Sequence, residues 1–266
     1  MLDNPRSPRV RGVAKLAKKA ARNDTGTFLL EGPQAASEAL AYRPELVVEL
    51  FATPTALERH SAVAQAAVNA GIDVEFVTEE VLGAMADTVT PQGFVAVVRQ
   101  FPTSVKDIFA ANPRLVAVLE EVRDPGNAGT IVRAADSAGA DAVIFTGRTV
   151  DLYNPKVVRS TTGSLFHVPV AVGATLADVV GRARSAGLQV LAADVKGEDL
   201  LVARREDVLR APTAWVFGNE ARGLEEDDLA LVDRAITVPI YGRAESMNLA
   251  TAASVCLYES AFAQRS

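Results

Sequence analysis

The chain has 266 residues, of which 49% are hydrophobic and 23% are charged, with 18 Gly, 13 Pro and 1 Cys. This composition excludes a disordered chain, a collagen-like repeat and a disulfide scaffold, and it favours one or two globular domains. No stretch is apolar and long enough for a membrane span or a secretory signal, so we expect a soluble cytoplasmic protein with no membrane partner.

The net charge of −6 is unevenly distributed along the chain. Residues 1–22 carry a charge of +6, and the remaining residues carry −12. A basic arm on an acidic body indicates an anionic partner, although a solvated leader helix without a partner has the same pattern. The candidate contacts in this arm are Arg9, Arg11, Lys15, Lys18, Lys19 and Arg22.

Residues 28–101 predict a small α/β unit. Its apolar runs predict strands at residues 28–30, 46–51, 74–77 and 94–98. Its helical spacing predicts helices that start at residue 33, cover residues 55–70, and start again at residue 78. Because strands and helices alternate, we expect a sheet that is at least partly parallel.

A polar, Pro-flanked stretch at residues 102–113 predicts a linker, so we expect domains at residues 1–105 and 106–266. The second domain has unbroken apolar runs that predict buried parallel strands at residues 115–119, 142–145, 189–192, 214–217 and 236–240. Helical segments are predicted between and after them, at residues 128–138, 155–165, 176–186, 225–233 and 249–263. The predicted fold class is α/β, with a parallel-sheet domain following a small α/β domain.

Three polar segments follow strands of the second domain, where an open parallel sheet binds ligands. In the first, Asn127 is the expected N-cap of a helix that carries Arg133 about two turns further on. In the second, glycines at residues 218 and 223 bracket an Asn-Glu pair, and a glycine there lets a ligand approach the backbone. In the third, Ser246 or Asn248 caps the long final helix. Each segment alone also fits an ordinary capped loop.

Taken together, in this order and spacing, the three segments resemble the motifs of the SpoU (TrmH-like) RNA ribose 2′-O-methyltransferases of the SPOUT superfamily. The matching letters are N-x5-R at residues 127–133, F-G-N-E-x2-G-L at 217–224 and V-P-I-x5-S-M-N-L at 238–249. This resemblance covers roughly residues 114–262. Residues 7–10 and 28–32 resemble, more loosely, the arm and the substrate-binding domain of rRNA-directed members, a domain similar to small ribosomal RNA-binding proteins.

The resemblance implies an S-adenosylmethionine-dependent homodimer that has a deep trefoil knot near its C-terminus and methylates RNA, most simply 23S rRNA. It implies that loop backbone groups hold the cofactor, at Gly218, Asn219, Ile240 and Leu249. It also implies that Arg133 is essential and completes the site of the other chain. The remaining catalytic candidates are Asn127 and Asn248, which would orient Arg133 or the ribose, Ser246, which would assist them, and Glu220.

The acceptor of the 2′-hydroxyl proton stays open at this point. A guanidinium is always protonated in ordinary surroundings, so either Arg133 is perturbed enough to accept the proton, or it stabilises the alkoxide while a group such as Glu220 accepts it. Lys156 and Arg159 lie three apart on one predicted helix face and are candidates for RNA phosphate, although a solvated face fits equally well. No histidine pair has metal-ligand spacing, so we expect no metal.

Two other classes of protein share part of this pattern. An NAD-binding enzyme has a similar sheet, but no G-x-G-x-x-G follows any predicted strand here. A non-catalytic RNA-binding protein would keep the basic arm without needing Arg133, Glu220 and Asn248 together. Within the methyltransferases, tRNA is the alternative substrate, and the additional N-terminal domain favours rRNA.

Overall fold

The structure, a computed structural model, describes all 266 residues and divides them into two compact units. Unit 1 consists of Met1–Phe101 and Tyr153–His167, and unit 2 consists of Pro102–Leu152 and Val168–Ser266. None of the helices combines the length and apolar character needed to cross a membrane. The helices in chain order are α1 (Pro8–Lys15), α2 (Lys19–Thr25), α3 (Pro33–Tyr42), α4 (Pro54–Arg59), α5 (Ser61–Ala70), α6 (Glu79–Met85), α7 (Val105–Ala110), α8 (Pro125–Ala138), α9 (Pro155–Thr161), α10 (Leu176–Ser185), α11 (Leu200–Arg205), α12 (Glu226–Leu231) and α13 (Leu249–Arg265). The strands are β1 (Thr27–Glu31), β2 (Val47–Ala52), β3 (Val74–Phe76), β4 (Phe94–Arg99), β5 (Leu115–Glu120), β6 (Ala142–Thr146), β7 (Val170–Ala174), β8 (Gln189–Asp199), β9 (Thr213–Phe217) and β10 (Arg234–Thr237).

Unit 1 is built on a mixed sheet in the order β1-β4-β2-β3. Strand β4 runs antiparallel to β1 and β2, and β2 runs parallel to β3. Val10 and Val13 of α1, and Leu16 at its C-cap, are buried in the same core cluster as Phe51 and Val97 of the sheet. The helix α1 of the basic arm is therefore packed into this unit, because its apolar residues recur at helical spacing and are turned inward.

The segment Tyr153–His167, predicted to belong to the second domain, packs with unit 1. Aromatic rings account for this difference, because the ring of Tyr153 lies 4.8 Å from that of Phe28, and Phe166 stacks on Phe101 at 5.6 Å. Aromatic pairs at these distances bury large apolar areas in addition to their mutual attraction. The first division also falls directly after Phe101 rather than at residue 105.

Two predicted elements of the first half differ from the structure. The predicted helix 55–70 is interrupted at His60, whose φ of −119° and ψ of 56° end α4 before α5 begins. The predicted linker 102–113 contains α7, which Ser104 caps by accepting a hydrogen bond from Asp107 N at 3.1 Å. The flanking prolines led to the prediction of a linker, but Ile108 and Phe109 anchor this short helix in the core.

Unit 2 has a fully parallel sheet in the order β10-β8-β9-β5-β6-β7. Strands β5, β6 and β9 are buried at every position, as their unbroken apolar sequences predict. The edge strand β7 was not predicted, because Gly173 and a preceding proline are residues that usually interrupt strands. The last strand, predicted at residues 236–240, ends at Thr237 in the structure. Residues 238–248 form an irregular segment instead.

Candidate active site

The loop after β5 leads into α8, and the N-cap of this helix lies three residues earlier than predicted. Asp124 is the N-cap, and its carboxylate accepts a hydrogen bond from Asn127 N at 2.8 Å. The prediction that Asn127 caps this helix is wrong, because Pro125 occupies the first helical position, where its fixed φ suits a helix start. The side chain of Asn127 is therefore available for contacts to other loops.

Those contacts join all three polar segments. The carboxylate of Glu220 accepts hydrogen bonds from Arg123 N and Asp124 N, both at 3.0 Å, and from Asn127 Nδ2 at 3.3 Å. Asn127 Oδ1 in turn accepts a hydrogen bond from Asn248 Nδ2 at 3.0 Å. We call Glu220, Asn127 and Asn248 the triad network, and it fixes three loops that are distant in sequence.

Asn248 also organises the final helix. Of the two predicted caps of α13, Ser246 and Asn248, the structure shows Asn248, whose Oδ1 accepts a hydrogen bond from Thr251 N at 3.2 Å. Asn248 thus donates to Asn127 through its nitrogen and accepts from α13 through its oxygen, which uses both ends of one amide. The orientation of this side chain is set by the helix start.

The second loop is shaped by Asn219. Its Nδ2 donates to Glu121 O at 2.9 Å, and its Oδ1 accepts from Ala221 N at 3.0 Å and Arg222 N at 3.3 Å. Its backbone also exchanges hydrogen bonds with Gly223, at 3.1 and 2.8 Å. The side chain and the backbone N–H of Asn219 are both used in folding the loop, so a cofactor could meet only the second lone pair of its carbonyl oxygen.

Gly218 is buried, and its lack of a side chain has a reason within the chain. A Cβ at this position would lie 2.7 Å from the carbonyl carbon of Gly223 and 2.8 Å from Leu224 Cγ. The expectation that this glycine leaves space for a ligand is therefore incomplete, because the space is filled by the returning loop. Substituting Gly218 by Val would distort the loop and would not isolate a contact to the cofactor.

The third loop, residues 238–248, has no regular secondary structure. No hydrogen bond within the chain is made by the backbone of residues 239–247, and the side chain of Ser246 is exposed. Ile240 is 39% exposed, Met247 is 36% exposed, and Leu249 at the start of α13 is half-buried. Unpaired backbone groups beside apolar side chains suit a ligand that has both polar edges and an apolar ring.

Arg133 does not join the triad network. It is exposed on α8, and its guanidinium makes no hydrogen bond or ion pair within the chain. Six residues of helix rotate the side-chain direction by about 240°, so Arg133 points from a different face of α8 than Asn127 does. A single copy of the chain therefore brings together Asn127, Glu220 and Asn248, but not Arg133.

Two glutamates at the end of β5 are important to the site, and sequence reasoning missed them. The Oε2 atom of Glu120 is buried without a hydrogen-bond partner, and burial raises the pKa of Glu120. Glu121 pairs with Arg123, Arg148 and Arg222, and the hydrogen bond from Arg123 is the main reason that the pKa of Glu121 is lowered. A pair of carboxylates directly after a buried strand is the signal that could have identified them.

The predicted RNA contacts divide into three sets. Arg22 is only 2% exposed and donates to Leu16 O at 2.8 Å and Ala17 O at 2.9 Å, so the structure contradicts a role for it in RNA contact. Arg9 pairs with Glu49 and Glu75, and Arg159 pairs with Glu31 and Asp87. The third set consists of five further exposed residues, which are Arg11, Lys15, Lys18, Lys19 and Lys156.

Comparison with known proteins gives the family. The family model "SpoU rRNA Methylase family" matches residues 114–258, and the model "MRM3-like substrate binding domain" matches residues 7–96. The chain belongs to the SpoU rRNA methylase family. This confirms the resemblance of the three motifs and of the N-terminal segment.

Relatives of this SpoU family chain match over nearly its whole length. A 23S rRNA (guanosine(2553)-2′-O)-methyltransferase, RlmP, from Bacillus subtilis is 32% identical over 97% of each chain. An AdoMet-bound rRNA methyltransferase from Sinorhizobium meliloti has a TM-score of 0.81 and 32% identity, covering 97% of this chain and 96% of that chain. The SpoU methyltransferase AviRb from Streptomyces viridochromogenes, also with AdoMet, has a TM-score of 0.81 and 28% identity, covering 98% and 99%.

Proposed function

We propose that the chain transfers a methyl group from S-adenosylmethionine to a ribose 2′-hydroxyl of 23S rRNA. The observation that carries this proposal is the triad network, because it joins one loop from each of the three motifs at the carboxyl ends of the parallel strands. The relatives named as 23S rRNA 2′-O-methyltransferases and the AdoMet-bound neighbours support the same reaction. Action on rRNA would place the enzyme in the cytoplasm.

The cofactor is assigned to the second and third loops. The unpaired backbone groups of residues 239–247 fit its polar edges, and Ile240 and Leu249 fit its adenosine. Gly218 and Asn219 supply the backbone of the facing loop. When bound, S-adenosylmethionine supplies a methyl group on a sulfonium, which is a good leaving group. The protein must therefore position the ribose and assist the loss of the proton from its 2′-hydroxyl group.

The trefoil knot implied by the family belongs to the same proposal. The support for it is the membership of the SpoU family. Beside the third loop, β8 and β10 are parallel neighbours whose register shifts between Ala235 and Ile236. Gly197 lies close against β10 there, since a Cβ at this position would be 2.4 Å from the carbonyl carbon of Ala235.

Within the site, each member of the triad network has a distinct task. Asn127 and Asn248 present amide groups that orient the ribose or the catalytic guanidinium, and Ser246 assists from the third loop. Glu220 positions Asn127, because its carboxylate already accepts hydrogen bonds from three donors. Glu220 is therefore a positioning residue. To accept a proton, its carboxylate would have to give up one of these three hydrogen bonds.

A homodimer would supply the missing Arg133. Exposed residues of α8 (Thr130, Arg133 and Ser137) and of α13 (Thr251, Tyr258 and Phe262) recur every three to seven residues, so each set lies on one helix face. Tyr258 donates to Ser137 O at 3.2 Å, so the two faces adjoin, and Phe262 is 58% exposed. An exposed aromatic face suits a second copy of the chain.

In this dimer, Arg133 of the partner subunit would approach the triad network and stabilise the alkoxide that develops on the ribose. Guanidinium holds its proton, so this electrostatic role is chemically simpler than a role as base. Arg133 makes no ion pair within its own chain, which leaves it available for this task.

Two experiments test the proposed function. Mapping 2′-O-methylation in 23S rRNA and tRNA from a deletion strain should show the loss of one ribose methyl in 23S rRNA, whereas a loss confined to tRNA would favour the alternative substrate. S-adenosylhomocysteine should raise the melting temperature of the purified protein, and NAD should not. Stabilisation by NAD alone would contradict the assignment of the cofactor.

A further inference from the structure

Unit 1 contains a cavity of about 300 Å³ that the methyl-transfer site does not use. It opens between the first turn of α3 and the stretch of residues 88–94 that leads into β4. Gln34, Thr88, Thr90 and Gln92 are the polar neutral residues of its lining, and Pro91 is an apolar one.

The walls of the cavity are held by an ion network in which Glu31 is buried and Arg159 and Asp87 are partly exposed. The side chain of Glu31 is 5% exposed, and its Oε1 accepts hydrogen bonds from Asp87 N at 2.9 Å and Thr88 N at 3.1 Å. Arg159 Nη1 donates to Glu31 Oε2 at 2.5 Å and to Asp87 Oδ2 at 2.9 Å. Arg159 thus positions the loop after α6 against the start of α3, so the cavity is formed before any ligand binds.

Gln92 lies directly over the start of α3. A Cβ on Gly32, whose φ is +91°, would lie 3.0 Å from Gln92 Oε1. Gly32 is the N-cap of α3 without a capping side chain, so the helix backbone forms the floor under Gln92. The exposed Gln92 makes no hydrogen bond within the chain, and its amide can therefore donate to and accept from a ligand.

The chemistry of this lining favours a neutral ring over a phosphate. The groups without a charge, Thr88, Thr90 and Gln92, carry both donors and acceptors. The two carboxylates of Glu31 and Asp87 outnumber the one guanidinium of Arg159, so the network has a net negative charge that opposes an anion. Pro91, which is half-buried, offers apolar surface to a flat ring.

We infer that this cavity binds one unstacked nucleobase of the RNA substrate, with Gln92 and Thr90 contacting the edge of the base. The inference rests on the proposed function, because it takes RNA as the substrate. Proteins recognise RNA sequence mainly through unstacked bases in loops and bulges, whose edges form hydrogen bonds to polar side chains. Unit 1 thereby selects a sequence, and not only a charged backbone.

The test compares the full-length protein with two variants and one matched control. Gln92→Ala removes the amide, Thr90→Val removes only a hydroxyl, and Gln65→Ala makes the same Gln→Ala change at an exposed position on α5, outside the cavity lining. The probe is unmodified 23S rRNA transcribed in vitro, titrated across a salt series. Gln92→Ala should weaken binding about tenfold and Thr90→Val about threefold, because each loses one or two hydrogen bonds.

The salt dependence identifies the ligand. Loss of a contact to a base leaves the slope of log affinity against log salt unchanged, whereas loss of a phosphate contact reduces it by about 0.7 to 0.9. Binding equal to that of Gln65→Ala, or a reduced slope, would overturn the inference while leaving methyl transfer intact. Failure of the wild-type protein to bind or methylate the transcript would instead overturn the proposed function, and the inference with it. Cofactor affinity should be unchanged in all variants.

Discussion

Replacing Glu220 by Gln separates a positioning role from a role in proton transfer. The carboxylate accepts hydrogen bonds from two backbone N–H groups at 3.0 Å and from Asn127 Nδ2 at 3.3 Å. A Gln side chain keeps one acceptor oxygen but directs an NH₂ group at either Arg123 N or Asp124 N. Because Glu220 is exposed and water replaces part of the loss, we expect a stability cost of about 1 kcal/mol, or a Tm lower by about 2–4 °C.

The effect on catalysis should exceed the effect on stability. Asn127 depends on Glu220 for its orientation, and a displacement of about 1 Å in a positioning group costs up to about 100-fold in rate. We therefore expect kcat for methyl transfer to fall about 10- to 100-fold with unchanged affinity for S-adenosylmethionine, measured by calorimetry. Glu226→Gln is the matched control, because it makes the same charge change on α12 without a hydrogen-bond partner in the network.

The pH dependence of the reaction decides between the two roles. If Glu220 only positions Asn127, the Glu220→Gln variant keeps the acid limb of its pH–rate profile. A loss of more than about 10⁴-fold at wild-type stability, together with the disappearance of that limb, would show that Glu220 accepts the proton.

Three further outcomes follow from the structure. Arg133→Ala and Asn127→Ala should each be inactive alone, but subunit exchange between the two variants should restore about a quarter of wild-type methyl transfer. About half of the dimers are then mixed, and each mixed dimer holds one complete site out of two. No recovery of activity would place Arg133 in the site of its own chain. Replacing Lys15, Lys18 and Lys19 by Gln should flatten the salt slope of RNA binding by about 2, whereas Lys106→Gln should leave it unchanged; an equal slope would show that these lysines do not contact phosphate. Burial raises the pKa of Glu120, so the folded chain keeps this proton to a higher pH than the unfolded chain does, and stability falls as the pH rises from the ordinary glutamate range through the folded value. Glu120→Gln should therefore gain Tm relative to wild type as the pH rises above the ordinary glutamate range, and a constant difference would contradict this reasoning.

The sequence alone was sufficient to predict the elements that have a strong hydrophobic or capping pattern. The buried strands β5, β6 and β9 are continuous apolar runs, and their order with the intervening helices implied a parallel sheet before any coordinates. The sequence narrowed the cap of α13 to Ser246 or Asn248, because both are short polar residues before an apolar helix, and the structure shows Asn248.

The remaining features depend on contacts that are distant in sequence. Arg22 has the sequence signature of a phosphate contact, yet its guanidinium binds the carbonyl groups at the end of α1. Deleting residues 1–22 would also remove Val10, Val13 and Leu16 from the core, so neutralising lysines is a cleaner test of RNA capture than removing the arm. Gly218 was assigned to ligand approach, and only the returning loop at Gly223 reveals its packing role.

The most direct test of the central claim follows the methyl group itself. Purified protein is incubated with S-adenosylmethionine labelled in its methyl group and with unmodified 23S rRNA or tRNA, and the RNA is then hydrolysed with alkali. Because a 2′-O-methyl group blocks cleavage at its own nucleotide, the account predicts that the label appears in one alkali-resistant dinucleotide from 23S rRNA. Label on a base, label in tRNA alone, or no transfer at all would contradict it.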